Sequence, residues 1–229
     1  AKNTAGSDGA GIYSPSTASS LAVSNSTVAD NIATSHGGAI WSQVSTGTLE
    51  QSTLAGNSAS SGGGLYLAAA LTVKGTILAG NTGGNCTGTV PIDGGHNLDG
   101  AATCGFGTAG GSLSNTDPGL SALADHGGPT LTFEPAFYGP AFNAGDPAYI
   151  PPEGDADQRG LTRVRGGRID IGAVEVQSDV QPACWAIVDG AGIGYASADA
   201  GAVQQAIDAA TAGRTIKLAG TCKGVSTSG

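Results

Sequence analysis

Three segments of this chain align residue for residue without a gap: Leu21-Ala-Val-Ser-Asn-Ser-Thr-Val-Ala-Asp-Asn31, Gly47-Thr-Leu-Glu-Gln-Ser-Thr-Leu-Ala-Gly-Asn57 and Leu71-Thr-Val-Lys-Gly-Thr-Ile-Leu-Ala-Gly-Asn81. The closing Asn recurs after 26 and then 24 residues. A glycine step with an apolar pair precedes each segment, as Gly9-Ala-Gly-Ile-Tyr13, Gly37-Gly-Ala-Ile-Trp41 and Gly62-Gly-Gly-Leu-Tyr66, with a connection of variable length between. Self-similarity at such a period marks a solenoid. Strands this short cannot bury their inward side chains alone. Rungs stacked about 4.8 Å apart pair their backbones in parallel and share one core. The expected fold is all-β, a right-handed parallel β-helix, with one short capping α-helix near the C-terminus.

The alignment assigns side chains to faces. Val23, Leu49 and Val73 form one expected inward stack, and Val28, Leu54 and Leu78 another. Thr27 and Thr53 fall on the outward side, where Thr53→Asp should be tolerated, and Ile77 interrupts their file. Turns between strands need left-handed backbone angles, which suits glycine and Asn31, Asn57 and Asn81, whose amides can also bond up and down the stack. A flexible Gly/Ser linker would lack matched apolar positions at a fixed period.

Composition narrows the function. Charged residues are 12% and aromatics 5% of 229 residues, the net charge is −9, and clustered Lys and Arg for phosphate-backbone binding are absent, so no nucleic-acid partner is expected. No apolar run has membrane-span length, so no membrane insertion is expected, and no basic-then-apolar signal segment opens the chain. A start in mid-rung at Ala1 with no Met reads as a processed product or a piece of something longer. The four cysteines read as two pairs, Cys86 with Cys104 and Cys184 with Cys222, without metal spacing. Disulfides closing these loops would stabilise by about 3 to 4 kcal/mol each and imply an oxidising compartment, so secretion or a cell-surface location is expected.

Beyond the third repeat the words change to Gly94-Gly-His-Asn-Leu-Asp-Gly100, Asp117-Pro-Gly-Leu-Ser-Ala-Leu-Ala-Asp-His-Gly-Gly-Pro-Thr-Leu-Thr132, Gly139-Pro-Ala-Phe-Asn-Ala-Gly-Asp146, Asp157-Gln-Arg-Gly160 and Gly166-Gly-Arg-Ile-Asp-Ile-Gly-Ala-Val-Glu175. In this order, over about residues 30 to 176, they resemble the C-terminal part of bacterial choice-of-anchor Q domain surface proteins. That resemblance implies a right-handed parallel β-helix and a secreted or surface-attached protein, and implies little about activity.

The chain therefore divides into residues 1–176, a parallel β-helix with a closing segment, and residues 177–229, which read as a β-helix entry cap. In the cap a helix near Asp199 to Thr211 carries Val203, Ala206, Ile207 and Ala210 at i, i+3, i+4 and i+7, with Asp199 to cap its start and Gly213 its stop. An entry cap that comes last must fold back on its own first rung, pass to the next molecule, or belong to a tandem array. The expected assembly interface sets Val203, Ala206, Ile207 and Ala210 against the first rung of the next copy around Ile12, making a homopolymer of head-to-tail solenoids.

Other chemistries are read from the residues as follows. Asp155, Asp157 and Asp170 with Arg159, Arg163, Arg165 and Arg168 are the candidates for a polysaccharide lyase or hydrolase of β-helix type, but an ion-paired closing loop is the plainer reading of them. Asp146, Glu153, Asp155 and Asp157 could offer oxygens to calcium, but no loop motif fixes a geometry, so no metal and no cofactor is assigned. Gly190-Ala-Gly-Ile-Gly194 lacks the lysine and helix of a phosphate loop and reads as a turn. Tyr13, Trp41 and Tyr66 could form an aromatic strip for a polysaccharide, the basis of a glycan-binding adhesin, although packing between rungs is the plainer reading. The sequons at Asn25 and Asn85 matter only in a producer that glycosylates.

Overall fold

The computed structural model describes residues 1–165, 167–177, 184–188, 194–197, 201–220, 222 and 224. Asp199 and residues 190–193 of the proposed turn lie outside them. The chain divides into two compact units, Ala1–Gln177 and Ser178–Gly229.

The first unit is a parallel β-solenoid of about four turns. The first turn holds β1 (Thr4–Ala5), β2 (Ile12–Ser14), β3 (Leu21–Ser24) and β4 (Thr27–Ala29), and the second β5 (Ile32–Ala33), β6 (Ile40–Ser42), β7 (Gly47–Glu50) and β8 (Thr53–Ala55). The third holds β9 (Leu65–Leu67), β10 (Thr72–Lys74) and β11 (Ile77–Ala79), and the fourth β12 (Cys86–Gly88), β13 (Ile92–Asp93) and β14 (Leu98–Asp99), before β15 (Leu113–Ser114). Three long parallel sheets run along the coil, β2-β6-β9-β12, β3-β7-β10-β13 and β4-β8-β11-β14-β15, and β1 pairs with β5 in a fourth, two-stranded one. Their register is that of the sequence alignment, with Val23 opposite Leu49 and Leu49 opposite Val73, and Val28 opposite Leu54 and Leu54 opposite Leu78.

Turn length shrinks along the coil. In the first sheet Ile12, Ile40, Leu65 and Cys86 follow one another at 28, 25 and 21 residues. The corner between the second and third sheets keeps its form, because Asn25, Gln51, Gly75 and His96 stack there in the left-handed region, at φ of 50°, 44°, 57° and 52°. Ile40, Leu49, Leu54, Leu65, Val73 and Leu78 are fully enclosed inside the coil.

The outer face of the third sheet differs from expectation. Thr53 is only 1% exposed, not solvent-facing, because residues 141–173 of the closing segment lie across it. Ile77 and Leu98 pack there with Ala141 and Ile171, and the Ala173 N–H donates to Thr53 Oγ1 at 3.1 Å. Gly172 makes the approach possible. Its φ is +108°, and a Cβ would stand 2.8 Å from Ile77 Cδ1 and 2.9 Å from Thr53 Oγ1. Ile77 is thus the contact of a second apolar layer, and Thr53→Asp would bury a charge beneath it.

The second unit is a three-stranded antiparallel sheet with one helix. β16 (Cys184–Val188) lies between β17 (Gly194–Ser197) and β18 (Ile216–Gly220), and α1 (Gly201–Ala209) packs on the sheet. Gly213 follows the helix with φ +83°.

Candidate functional site

The solenoid contains hydrogen-bonded files of side chains that run along its axis, and their ends define its two faces. The longest is an amide ladder. Asn3 Nδ2 donates to Asn31 Oδ1 (2.8 Å), Asn31 to Asn57 (2.9 Å), Asn57 to Asn81 (2.9 Å), Asn81 to Asn85 (2.9 Å) and Asn85 to Asp99 Oδ1 (2.7 Å). The second hydrogen of the amide goes to backbone carbonyls, such as Val28 O from Asn57 and Leu54 O from Asn81. A parallel file joins Ser26 N to Ser52 Oγ, Ser52 N to Thr76 Oγ1, Thr76 N to Asn97 Oδ1 and Asn97 N to Ser112 Oγ.

At the fourth turn these files stop at carboxylates. Asp99 takes Asn85 and the Ala101 N–H on Oδ1 and the Cys104 N–H on Oδ2, and Asp93 takes Asn97 and Ser112. The inward column that begins with Ile12 ends at Cys86, which is disulfide-bonded to Cys104, and Phe106 packs on the same cluster. This end of the core is closed.

The first turn is different. Ile12, Leu21 and Val23 are only partly buried, whereas Ile40 and Leu49, stacked on Ile12 and Val23, are enclosed. Asn3 is exposed, and its Oδ1 accepts nothing among the described residues. Tyr13 stacks on Trp41 with ring centres 4.5 Å apart and planes at 2°, and keeps 54% exposure while Trp41 keeps 8%. The aromatic strip is therefore packed between rungs, with Tyr66 touched by His36, and its open ring is at the first turn. The first rung, with the exposed ring of Tyr13 beside the partly buried Ile12, Leu21 and Val23, is the candidate functional site.

Of the carboxylate and arginine candidates, Asp157, Asp170, Arg159 and Arg163 are buried and form a clamp with Glu175 in the closing segment, whereas Asp155, Arg165 and Arg168 are partly exposed. Asp157 Oδ2 accepts from Arg159 Nη2 (2.8 Å), Arg159 Nε (3.0 Å) and the Glu175 N–H (3.0 Å). Asp170 accepts the Asn143 and Val176 N–H groups, and Glu175 those of Arg165 and Asp170. Arg163 is enclosed and donates to Gly172 O and Gln51 O, while its Nε and Nη1 find no partner among the described residues. Burial, more than any charge, pushes Asp170 up to about 7 and Glu175 up to about 8. Asp155 accepts from Tyr149 Oη, and Arg168 donates to the Gly145 and Ala144 carbonyls. Asp146 pairs with Lys74 at 3.0 Å. The buried members hold the segment on the coil, their carboxylates enclosed and hydrogen-bonded. Glu175 was not singled out from the sequence; an acidic residue within Ile169-Asp-Ile-Gly-Ala-Val-Glu-Val176 was its signal.

Among the described residues no group of three metal-ligating side chains converges, and no helix is long and apolar enough to cross a membrane. Both sequons are engaged, Asn85 in the ladder and Asn25 on the Ala156 carbonyl.

In the second unit, Cys184 is disulfide-bonded to Cys222. Ala202 and Ala206 are buried against Cys184, Ala186 and Val188, with Val203 and Ala210 packed alongside. Three of the four residues of the helical stripe thus face their own sheet. Ile207 is 51% exposed, as is Leu218 on β18 at 55%.

Comparison with protein-family models, curated proteins and solved structures finds no match to this chain.

Proposed function

We propose that this is an extracellular structural protein, a subunit or repeat unit of a head-to-tail β-solenoid fibre on or outside a bacterial cell. One observation carries the reading: amide, hydroxyl, aromatic and aliphatic files repeat from turn to turn along one axis, so that each turn offers the next the same partners, the arrangement by which a solenoid extends. Two disulfides suit an oxidising compartment outside the cell. The resemblance to choice-of-anchor Q domain surface proteins points the same way.

The test is assembly itself. Purified chain examined by electron microscopy and by sedimentation over a range of concentrations should form unbranched rods that lengthen with concentration. A monomer at every concentration overturns the fibre. In that case the exposed ring of Tyr13 favours the second reading, a monomeric adhesin that stacks a sugar on it, and Tyr13→Ala would abolish retention on polysaccharide. The enzymatic reading draws no support from the clamp, whose carboxylates are enclosed and hydrogen-bonded.

A further inference from the structure

A glycine leaves a gap in one of the coil's files. Asn25, Gln51, Gly75 and His96 stack at the corner between the second and third sheets, and of these Gly75 brings no side chain. A Cβ there would stand 3.5 Å from Gln51 Cγ, at ordinary contact, so the neighbours leave room for one. The closing segment lies over the gap with Asp146, Tyr149 and Ile169 and does not fill it. What is left is a cavity of about 60 Å³, room for a few non-hydrogen atoms. Gly75 and Ile169 line it as buried residues, whereas Glu50, Lys74, Asp146 and Tyr149 are partly exposed, so the cavity opens to solvent on its polar side.

The charges around the cavity cancel. Lys74 holds Asp146 at 3.0 Å, Glu50 adds a second carboxylate, and Arg168 stands with Nη2 3.3 Å from Nδ1 of the lining residue His96. The lining therefore selects neither sign of ligand. Unspent hydrogen-bonding capacity of both kinds is present instead. Nothing among the described residues donates to the Glu50 carboxylate, and Lys74 keeps two hydrogens after Asp146 has taken one. These two side chains stand opposite each other on β7 and β10, one strand spacing of about 4.8 Å apart. A hydroxyl both donates and accepts, and adjacent hydroxyls of one ligand can meet both groups. We infer that this cavity takes the hydroxyl-bearing edge of a neutral sugar, Glu50 accepting from one hydroxyl and Lys74 donating to the next. The site lies wholly within the first unit and is complete in one copy of the chain, so it stands apart from the first rung and from the fibre.

The experiment titrates the full chain with glucose, galactose and mannose and follows saturation transfer from protein to sugar protons. At least one of these sugars should bind with a dissociation constant on the order of 1 mM, as a few polar contacts allow. Gly75→Asn fills the gap and keeps the corner, since asparagine tolerates the left-handed angle that Asn25 adopts in the same file. It should weaken binding by more than about tenfold. Glu50→Gln keeps the shape, loses the charged acceptor and should weaken binding about tenfold. Tyr13→Ala should leave it within about twofold of wild type, as changes away from a site do. No binding of any of these sugars overturns the proposal, and so does binding that both cavity variants retain. If they retain it while Tyr13→Ala loses it, the sugar belongs on the first rung and the adhesin reading stands without this site. Glucosamine bound more than about tenfold tighter than glucose puts an ammonium in the cavity and overturns the neutral class. Sedimentation of the same samples reports the fibre separately.

Discussion

The coil buries Asn31, Asn57, Asn81 and Asn85 as neutral amides, each bonded to the next turn, whereas the segment laid across its third sheet buries Asp157, Arg159, Arg163, Asp170 and Glu175. An amide donates and accepts, so one residue type at one position can satisfy its neighbours on both sides and be repeated turn after turn. A carboxylate only accepts, and an arginine only donates. Such a set closes on itself around one geometry and cannot be propagated along an axis. The two regions show why amides are what the turns repeat, with a buried carboxylate, Asp99, only where the ladder ends, while paired charges gather where a unique segment is held in one place.

The most damaging change should fall in the shared core. Leu54→Asp sets a charge between Val28 and Leu78 and should remove on the order of 5 kcal/mol, enough to abolish the cooperative thermal transition of the whole coil. A variant that still melts cooperatively would show that the core is not continuous. Next comes the clamp: Asp157→Ala leaves the buried Arg159 with only the partly exposed Glu134 as a counter-charge and should cost about 3 kcal/mol. Here the loss should be local. Hydrogen exchange should quicken across residues 117–177 while residues 21–81 stay protected; equal quickening in both would merge the two regions into one cooperative body. Asn57→Ala, in contrast, removes a link that two neighbouring turns share and should cost about 2 to 3 kcal/mol. Its effect should spread over the turns on either side and leave the clamp's own exchange unchanged.

Acidity separates the regions again. Asp170 and Glu175 are held above their ordinary ranges, at about 7 and about 8 against 3.8 and 4.5. Between the ordinary and the raised values the opened segment releases protons that the closed one retains, so the closed state loses stability as pH rises from about 4 to about 8. Exchange in residues 141–177, corrected for its intrinsic rate, should therefore be slower relative to the coil at pH 5 than at pH 8.5. Glu175→Gln should flatten the upper part of that dependence. An unchanged slope would place the titration elsewhere. The smallest effect belongs to Thr53→Val, which loses the bond from Ala173 and should lower stability by about 1 kcal/mol.

Much of the coil was legible because repetition turns a long-range problem into a local one. Aligning Val23 with Leu49 and Val73 is the same statement as the pairing of β3 with β7 and of β7 with β10, and the cysteine spacing carried both disulfides. The cover over Thr53 was not legible. Ala173 meets Thr53 across 120 residues, and the interruption at Ile77 reads as an irregularity until the covering layer is known. The helix of the second unit shows a related limit: the spacing of Val203, Ala206 and Ala210 reveals an apolar stripe but not which surface it covers, and the unit's own sheet lies there. The polarity of the ladder was equally hidden, since the sequence of an asparagine file is the same whichever way its amides point.

The ladder also bears on how such a protein ages. An asparagine deamidates when the backbone nitrogen of the following residue turns to attack its side-chain carbonyl. Here the nitrogens after Asn31, Asn57 and Asn81 belong to Ile32, Ser58 and Thr82. Those of Ile32, Ser58 and Thr82 are tied to the carbonyls of Asn3, Asn31 and Asn57, and all three side-chain amides are pinned at both ends. With no methionine in the sequence and every cysteine already oxidised, the chain also offers oxidants little soft sulfur. The geometry that stacks the turns therefore also slows the chemical decay of the asparagines that hold them together.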